Sequence, residues 1–358
     1  MFGNVMAIER ALGTGIIISS SVLIPQRVQQ RIRAFVEEYE SVLSRFRADS
    51  LVSCMARAEH GGEFEFPTWA QPLFALYSEF YAATHGAFDA CIGADLLALG
   101  YNNSVQFIPQ SEAGEGKNES SGSGSWSNYR RALPTTWADI SRDSGSATLC
   151  TNCPVNLDFG ASGKGYFVDL VTQIIKEELG GDSTANNYFP LDCDSPSDFD
   201  FLVNAGGDMR ACFSEENSQI KVALENPFDT TQAVGMASIA SGALCASSAA
   251  RRRWKVKDAN CLAADAFESN VVATHLINAL DGVPSQKLSA SWTYIPAKTC
   301  AFPTAYADAL ATALFVSQEN DLQKIVQTVG AEFAVILPNR TACQVRSTSA
   351  FPARFFAE

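Results

Sequence analysis

The sequence predicts an α+β fold in which mixed or antiparallel sheets pack against helices. Three observations predict it. Strand-like segments come in runs instead of alternating regularly with helices, which disfavours a doubly wound parallel sheet. Several other segments repeat apolar residues at the period of an amphipathic helix. Of the 358 residues, 47% are hydrophobic and only 18% charged, with 23 Phe, enough for a large core and incompatible with global disorder. At roughly 150 residues per domain, the length fits a single unit over 1–358, with two intimate subdomains as the alternative.

In chain order, residues 13–20 are rich in β-branched side chains, end in a serine run and predict a strand. After Pro25 the period changes: Val28, Ile32, Phe35, Tyr39 and Leu43 fall on one helical stripe. A second helix follows Pro67, with Trp69, Leu73, Tyr77, Phe80 and Tyr81 apolar, and stops at Gly86. Residues 110–128 are polar and dense in Gly and Ser. Such a segment cannot offset its ordering entropy by burial and reads as a flexible insertion. A helix is expected from Gly163 to Leu179, where Val168, Val171, Ile174, Ile175 and Leu179 share a face and Gly180-Gly181 supply the stop. The segments FLVNAG, IKVALEN, SASWTYIP, FAVILP and CQVRST read as strands, with a further helix at AYADALATALFV.

Charge and composition narrow the function classes. With 26 Lys+Arg against 39 Asp+Glu the formal charge is −13, which repels nucleic acid. The longest apolar runs fall far short of the ~20 residues of a membrane span. The N-terminus lacks a basic stretch followed by an apolar run and a small-residue cleavage site, so a cytoplasmic protein is expected. Ten scattered cysteines suit free thiols in a reducing compartment, and Cys150/Cys153 form a C-x-x-C with no second pair at zinc spacing.

Four segments can carry chemistry. Asp158-Phe159-Gly160-Ala161-Ser162-Gly163-Lys164-Gly165 is a Gly-rich turn entering a helix, suited to an anion at free backbone N–H groups with a lysine beside it; a tight turn with a solvated lysine is the plain alternative. Asp308 and Thr312, at i and i+4 of an apolar helix, suit a hard cation such as Mg²⁺, or equally an Asp paired inside the core and a Thr bonded to its own helix. His275, one of three histidines, is a candidate general base or a satisfied core imidazole. Thr84-His85-Gly86-Ala87-Phe88-Asp89 is, by itself, only a turn.

Taken in order, these segments resemble the ApbE family of FAD:protein FMN transferases. Leu12-Gly13-Thr14 resembles its M-G-T, and Ser44-Arg45-Phe46-Arg47-Ala48-Asp49-Ser50 its S-x-[YF]-x-x-x-S ahead of a short helix. Gly86 to Gly93 resembles G-A-F-D-P-T-V-G, and Asp158 to Asp169 resembles D-L-G-[GA]-I-[AG]-K-G-x-x-x-D. Asn204-Ala205-Gly206-Gly207-Asp208 matches N-x-G-G-D, followed by Ala240-Ser241-Gly242 as a T-S-G-like element. His275 to Gly282 resembles H-I-I-D-P-x-T-G, and residues 307–314 match A-D-A-L-A-T-A-L throughout.

The resemblance implies an ApbE-like, T-fold-related architecture and a Mg²⁺-dependent transfer of FMN from FAD to a Thr or Ser of an acceptor flavoprotein, with AMP released. It implies Mg²⁺ on the Ala161 carbonyl, Asp308 and Thr312, and proton removal by His275 or by Asp308 through a water. It places Asp158, Lys164, Ser241 and Gly242 at the bound FAD, and Leu12, Phe46, Ala87, Phe88 and Asp89 along its flavin and adenine side. Departures are Leu12 for Met, Ala56 where the family has Asn, Ala240 for Thr, and Asn278-Ala279 for Asp-Pro. The altered surroundings of Ser241 and His275 keep open a non-catalytic FAD-binding protein, and water as acceptor would make a Mg²⁺-dependent FAD pyrophosphatase. The run from Arg251 to Lys257 is either a solvated face or a pocket rim that steers anions.

Overall fold

The strands pair antiparallel wherever they meet among the described residues, as the runs of strand-like sequence predict. The computed structural model describes residues 2–107, 131–143, 145–180, 198–256, 271–338 and 344–356. The expected insertion at 110–128 lies outside them. The main sheet has eight strands in the order Asn4–Ala11, Thr14–Ser20, Phe201–Ala205, Asp208–Cys212, Gly242–Ser248, Ala290–Pro296, Glu332–Ile336 and Val345–Ser347. The helices are α1 (Gln26–Leu43), α2 (Leu51–Arg57), α3 (Gln71–Ala83), α4 (Gly93–Ala98), α5 (Gly163–Leu179), α6 (Pro303–Val316) and α7 (Glu319–Val329).

Alternation along the central strands divides two cores. Ala243, Cys245, Ile295 and Val335 join the helices, with Ile16, Val203, Phe167 and Leu310, in the larger core. Their neighbours Leu244, Trp292, Tyr294 and Ala334 face the other way into a second core. That second face is covered by a small sheet in the order Ala353–Phe355, Asp229–Ile239, Ile220–Asn226.

The α1 stripe is buried as its spacing predicts, and the helix begins directly after Pro25. The second expected helix starts later than Pro67: Trp69 sits in a 3₁₀ turn, Thr68–Ala70, and α3 follows with Pro72 in its first turn, where its missing N–H costs nothing. The first predicted strand starts at Thr14 because Leu12 and Gly13 make the two-residue turn from the preceding strand, with φ of 55° and 71°. A leucine in that left-handed conformation is strained by about 1–2 kcal/mol. Its N–H is held by Glu40 Oε1 of α1 at 2.8 Å. Cys150 and Cys153 are free thiols, and Cys153 Sγ lies 3.6 Å from Thr135 Oγ1. No helix among the described residues is long and apolar enough to cross a membrane.

Candidate active site

A cleft of about 1140 Å³ opens where α5 and α6 reach the sheet, and most of the predicted site residues stand on its walls. Its floor is made by a close crossing of these two helices. Gly165 permits the crossing: a Cβ there would lie 2.2 Å from the Thr304 carbonyl oxygen and 2.8 Å from Asp308 Cβ. The same approach lets the Gly165 N–H donate to Asp308 Oδ2 at 3.0 Å. Asp169, one turn further along α5, accepts from the Thr304 N–H and hydroxyl and from the Ala305 N–H at 3.2, 2.6 and 2.9 Å, capping α6 from outside. Burial raises the Asp169 carboxyl to about 6 against the opposing pull of Arg210 and these hydrogen bonds.

Lys164 lies between two carboxylates. Its Nζ is 2.6 Å from Asp208 Oδ2 and 3.2 Å from Asp308 Oδ2. Asp208 arrives there through the tight turn Gly206-Gly207, whose φ values of 68° and 108° only glycine adopts freely. Burial raises the Asp308 carboxyl and the facing Asp208 charge adds to it, while the two carboxylates hold the Lys164 ammonium above its ordinary range despite burial. Asp208 Oδ1 is buried without a hydrogen-bond partner. Two carboxylates against one ammonium leave negative charge unbalanced, and a divalent cation fits that imbalance. Ala161 lines the cleft, and Thr312 Oγ1 is 3.2 Å from Ser247 Oγ. Among the described residues no group of three His, Cys, Asp or Glu side chains forms a metal cage. A Mg²⁺ site here would therefore rest on one or two carboxylates and oxygen ligands of other kinds.

His275 borders the cleft beside Tyr101, with ring centres 6.4 Å apart. Its Nδ1 is buried without a hydrogen-bond partner. Burial, then the charges of Arg252 and Lys164, push its pKa down to about 3, and a hydrogen bond to the Arg252 backbone opposes this only in part. The ring is neutral at ordinary pH.

Other predicted residues are placed differently. Asp158 is occupied internally: Oδ1 accepts from the Gly160 N–H at 2.7 Å, and Oδ2 takes the Arg45 guanidinium. Leu12 and Phe46 line the cleft and a side pocket of about 450 Å³. Ala87, Phe88 and Asp89 border the cleft, yet the Phe88 ring packs between Tyr77 and Phe80, and the Asp89 carboxylate holds the Cys91 and Trp137 N–H groups. Ser241 and Gly242 stand apart from these residues. They lie off the cleft wall, because Ser241 Oγ accepts from the Phe213 N–H and Gly242 begins a strand packed against Ile295 and Tyr294. Ser247 and Ser248, at the other end of that strand, line the cleft instead. The Ser-Ser pair ahead of the basic run was the signal for them. Arg251 and Arg252 are on the wall, Arg251 paired with Glu225 and Arg252 donating to the Tyr101 hydroxyl at 3.1 Å; Lys257 lies outside the described residues.

Comparison with solved structures finds this architecture in an ApbE protein of Thermotoga maritima, at 20% identity over 97% of this chain and 98% of that one, with a TM-score of 0.69. The flavin transferase ApbE of Vibrio cholerae is similar at 16% identity, 97% of each chain and 0.67. The flavinyl transferase ApbE of Pseudomonas stutzeri is similar at 19% identity, 98% and 96%, and 0.64. At such identities these likenesses speak for the fold. A sequence comparison with curated proteins finds no match. The model of the ApbE family matches residues 12–185 and 199–337, a span that takes in Lys164, Asp208, His275 and Asp308, and the chain belongs to that family.

Proposed function

We propose that the protein transfers FMN from FAD to a Ser or Thr hydroxyl of an acceptor flavoprotein, with release of AMP. One observation carries the reading: the Lys164 ammonium, the Asp208/Asp308 pair and the His275 ring line a single cleft in a member of the ApbE family. The flavin transferases among the similar structures support it.

The residues assign themselves by chemistry. The Ala161 carbonyl, Asp308 and Thr312 would hold Mg²⁺, with Asp208 as the neighbouring charge. When bound, the ion neutralises charge on the donor's diphosphate. Lys164 adds a second positive group, already desolvated and fixed by its two carboxylates. The neutral His275 ring takes the acceptor's hydroxyl proton. The hydroxyl oxygen bonds to the FMN phosphorus, the bond from that phosphorus to the AMP oxygen breaks, and AMP departs. The negative donor beside His275 shifts its pKa back up towards the working range.

The test is mass spectrometry of an acceptor flavoprotein incubated with the protein, FAD and Mg²⁺. A covalent FMN mass on a Ser or Thr is expected, lost in Asp308→Ala, whose fold survives because Lys164 keeps Asp208 as its partner. Release of AMP without an adduct would point to a pyrophosphatase, and intact FAD with no adduct to a binding protein.

A further inference from the structure

The cleft continues past the catalytic residues to the small sheet, and there it meets a strand edge. Val222, Ala223, Leu224 and Glu225 all line it. In a strand, successive side chains point to opposite faces, so four consecutive residues reach one cavity only when the cavity lies along the strand's edge. Burial agrees: Leu224 is in the second core, while Ala223 is exposed. Among the described residues, the strand Ile220–Asn226 pairs only with Asp229–Ile239, so its other row of N–H and C=O groups faces the cleft. Glu225, at the end of this row, is tied to Arg251 of the facing wall, with Nε at 2.8 Å, which sets the gap.

Resting on the transferase reading, we propose that the acceptor enters as an extended segment that adds to the free edge at 222–225 and so carries its Ser or Thr hydroxyl towards His275. Pairing of this kind draws affinity from main-chain hydrogen bonds and leaves alternate side chains to supply selectivity. An unpaired edge that native proteins otherwise shield is, in this position, continuous with the site where the hydroxyl must react.

The experiment offers the protein, with FAD and Mg²⁺, a degenerate library of eleven-residue peptides with a central Ser or Thr, and reads flavinylated peptides by mass. The best peptide is then N-methylated one position at a time. Methylation at every second position should lower kcat/KM about 3- to 10-fold, the size of one lost hydrogen bond, and the intervening positions should change it little. A matching pair on the protein is Val222→Pro and Ala223→Pro. One of these adjacent N–H groups faces the paired strand and the other the cleft. One variant should therefore lose thermal stability, and the other only peptide transfer, with FAD affinity kept. Loss without a period of two, or equal behaviour of the two variants, overturns the proposal. If a folded flavoprotein accepts FMN and no peptide does, the edge assignment falls and the transferase reading stands. If neither accepts it, the transferase reading has failed.

Discussion

Substituting alanine at Gly165 tests whether the α5–α6 crossing builds the site. The added Cβ would sit 2.2 Å from the Thr304 carbonyl oxygen and 2.7 Å from its carbon, both backbone atoms that cannot rotate away. Ordinary contact needs roughly 3.4 Å, so the helices must part by about 1 Å. Overpacking of this size costs about 1–3 kcal/mol, which lowers Tm by roughly 1–2 °C per kcal/mol in a chain of this length. The same displacement breaks the 3.0 Å bond from the Gly165 N–H to Asp308 and moves that carboxylate relative to Lys164. A misplacement of about 1 Å at reacting groups costs on the order of 100-fold in rate. Gly163→Ala is the internal control. Its Cβ would meet Phe159 Cβ and the Tyr39 hydroxyl at 3.6 Å, ordinary contact, so stability and transfer should stay near wild type. Thermal unfolding and FMN transfer would be measured on both. Equal behaviour of the two variants, or a Gly165→Ala protein with wild-type Tm and rate, would falsify the account of the crossing.

Lys164→Met leaves the carboxylates of Asp208 and Asp308 facing each other in the interior, at a cost of about 3–5 kcal/mol. Because the folded-state pKa of Asp308 is raised, the folded protein holds that proton more tightly and this loss grows as pH rises. Chemical denaturation at pH 5 and pH 8 should show the larger deficit at pH 8; equal deficits refute the pairing. His275→Gln should keep FAD binding and lower transfer about 10²- to 10⁴-fold, measured by adduct mass against time. In the wild type the depressed pKa of this ring favours the folded state above pH 6.5, and that contribution is lost as pH falls towards 3. The variant should lack this acid sensitivity, a difference of about 3 kcal/mol by pH 4.5. Parallel stability curves for the two proteins between pH 7 and 4.5 would show that the ring is not buried neutral.

Legibility in the sequence followed periodicity. Helices α1, α5 and α6 were readable from apolar spacing and from Pro and Gly at their ends, because burial on one face leaves a pattern. Gly242–Ser248 was not readable. It is a run of small residues, packed against α6 on one face and the second core on the other, so neither alternation nor branched side chains mark it as a strand. Ser241, just before that strand, lies off the cleft wall, whereas Ser247 near its far end lines it. The charged, half-exposed strand Asn4–Ala11 left too weak an alternation to read. At the site, the sequence marked Lys164, His275, Asp308 and Thr312. Their mutual distances, the use of Asp158 by Arg45, and the entry of Asp208 as partner of Lys164 depend on turns and crossings between distant segments, which no local pattern encodes.

The ion cluster is collected from three remote stretches of chain, around Lys164, Asp208 and Asp308, and Asp169 fastens two of them together. No single one of these stretches can therefore retain the site. A ligand that binds there selects the fully assembled molecule, so its free energy is delivered to global unfolding as RT ln(1 + [L]/Kd). Amides far from the cleft that exchange only by global unfolding should then slow by the same factor as those beside it.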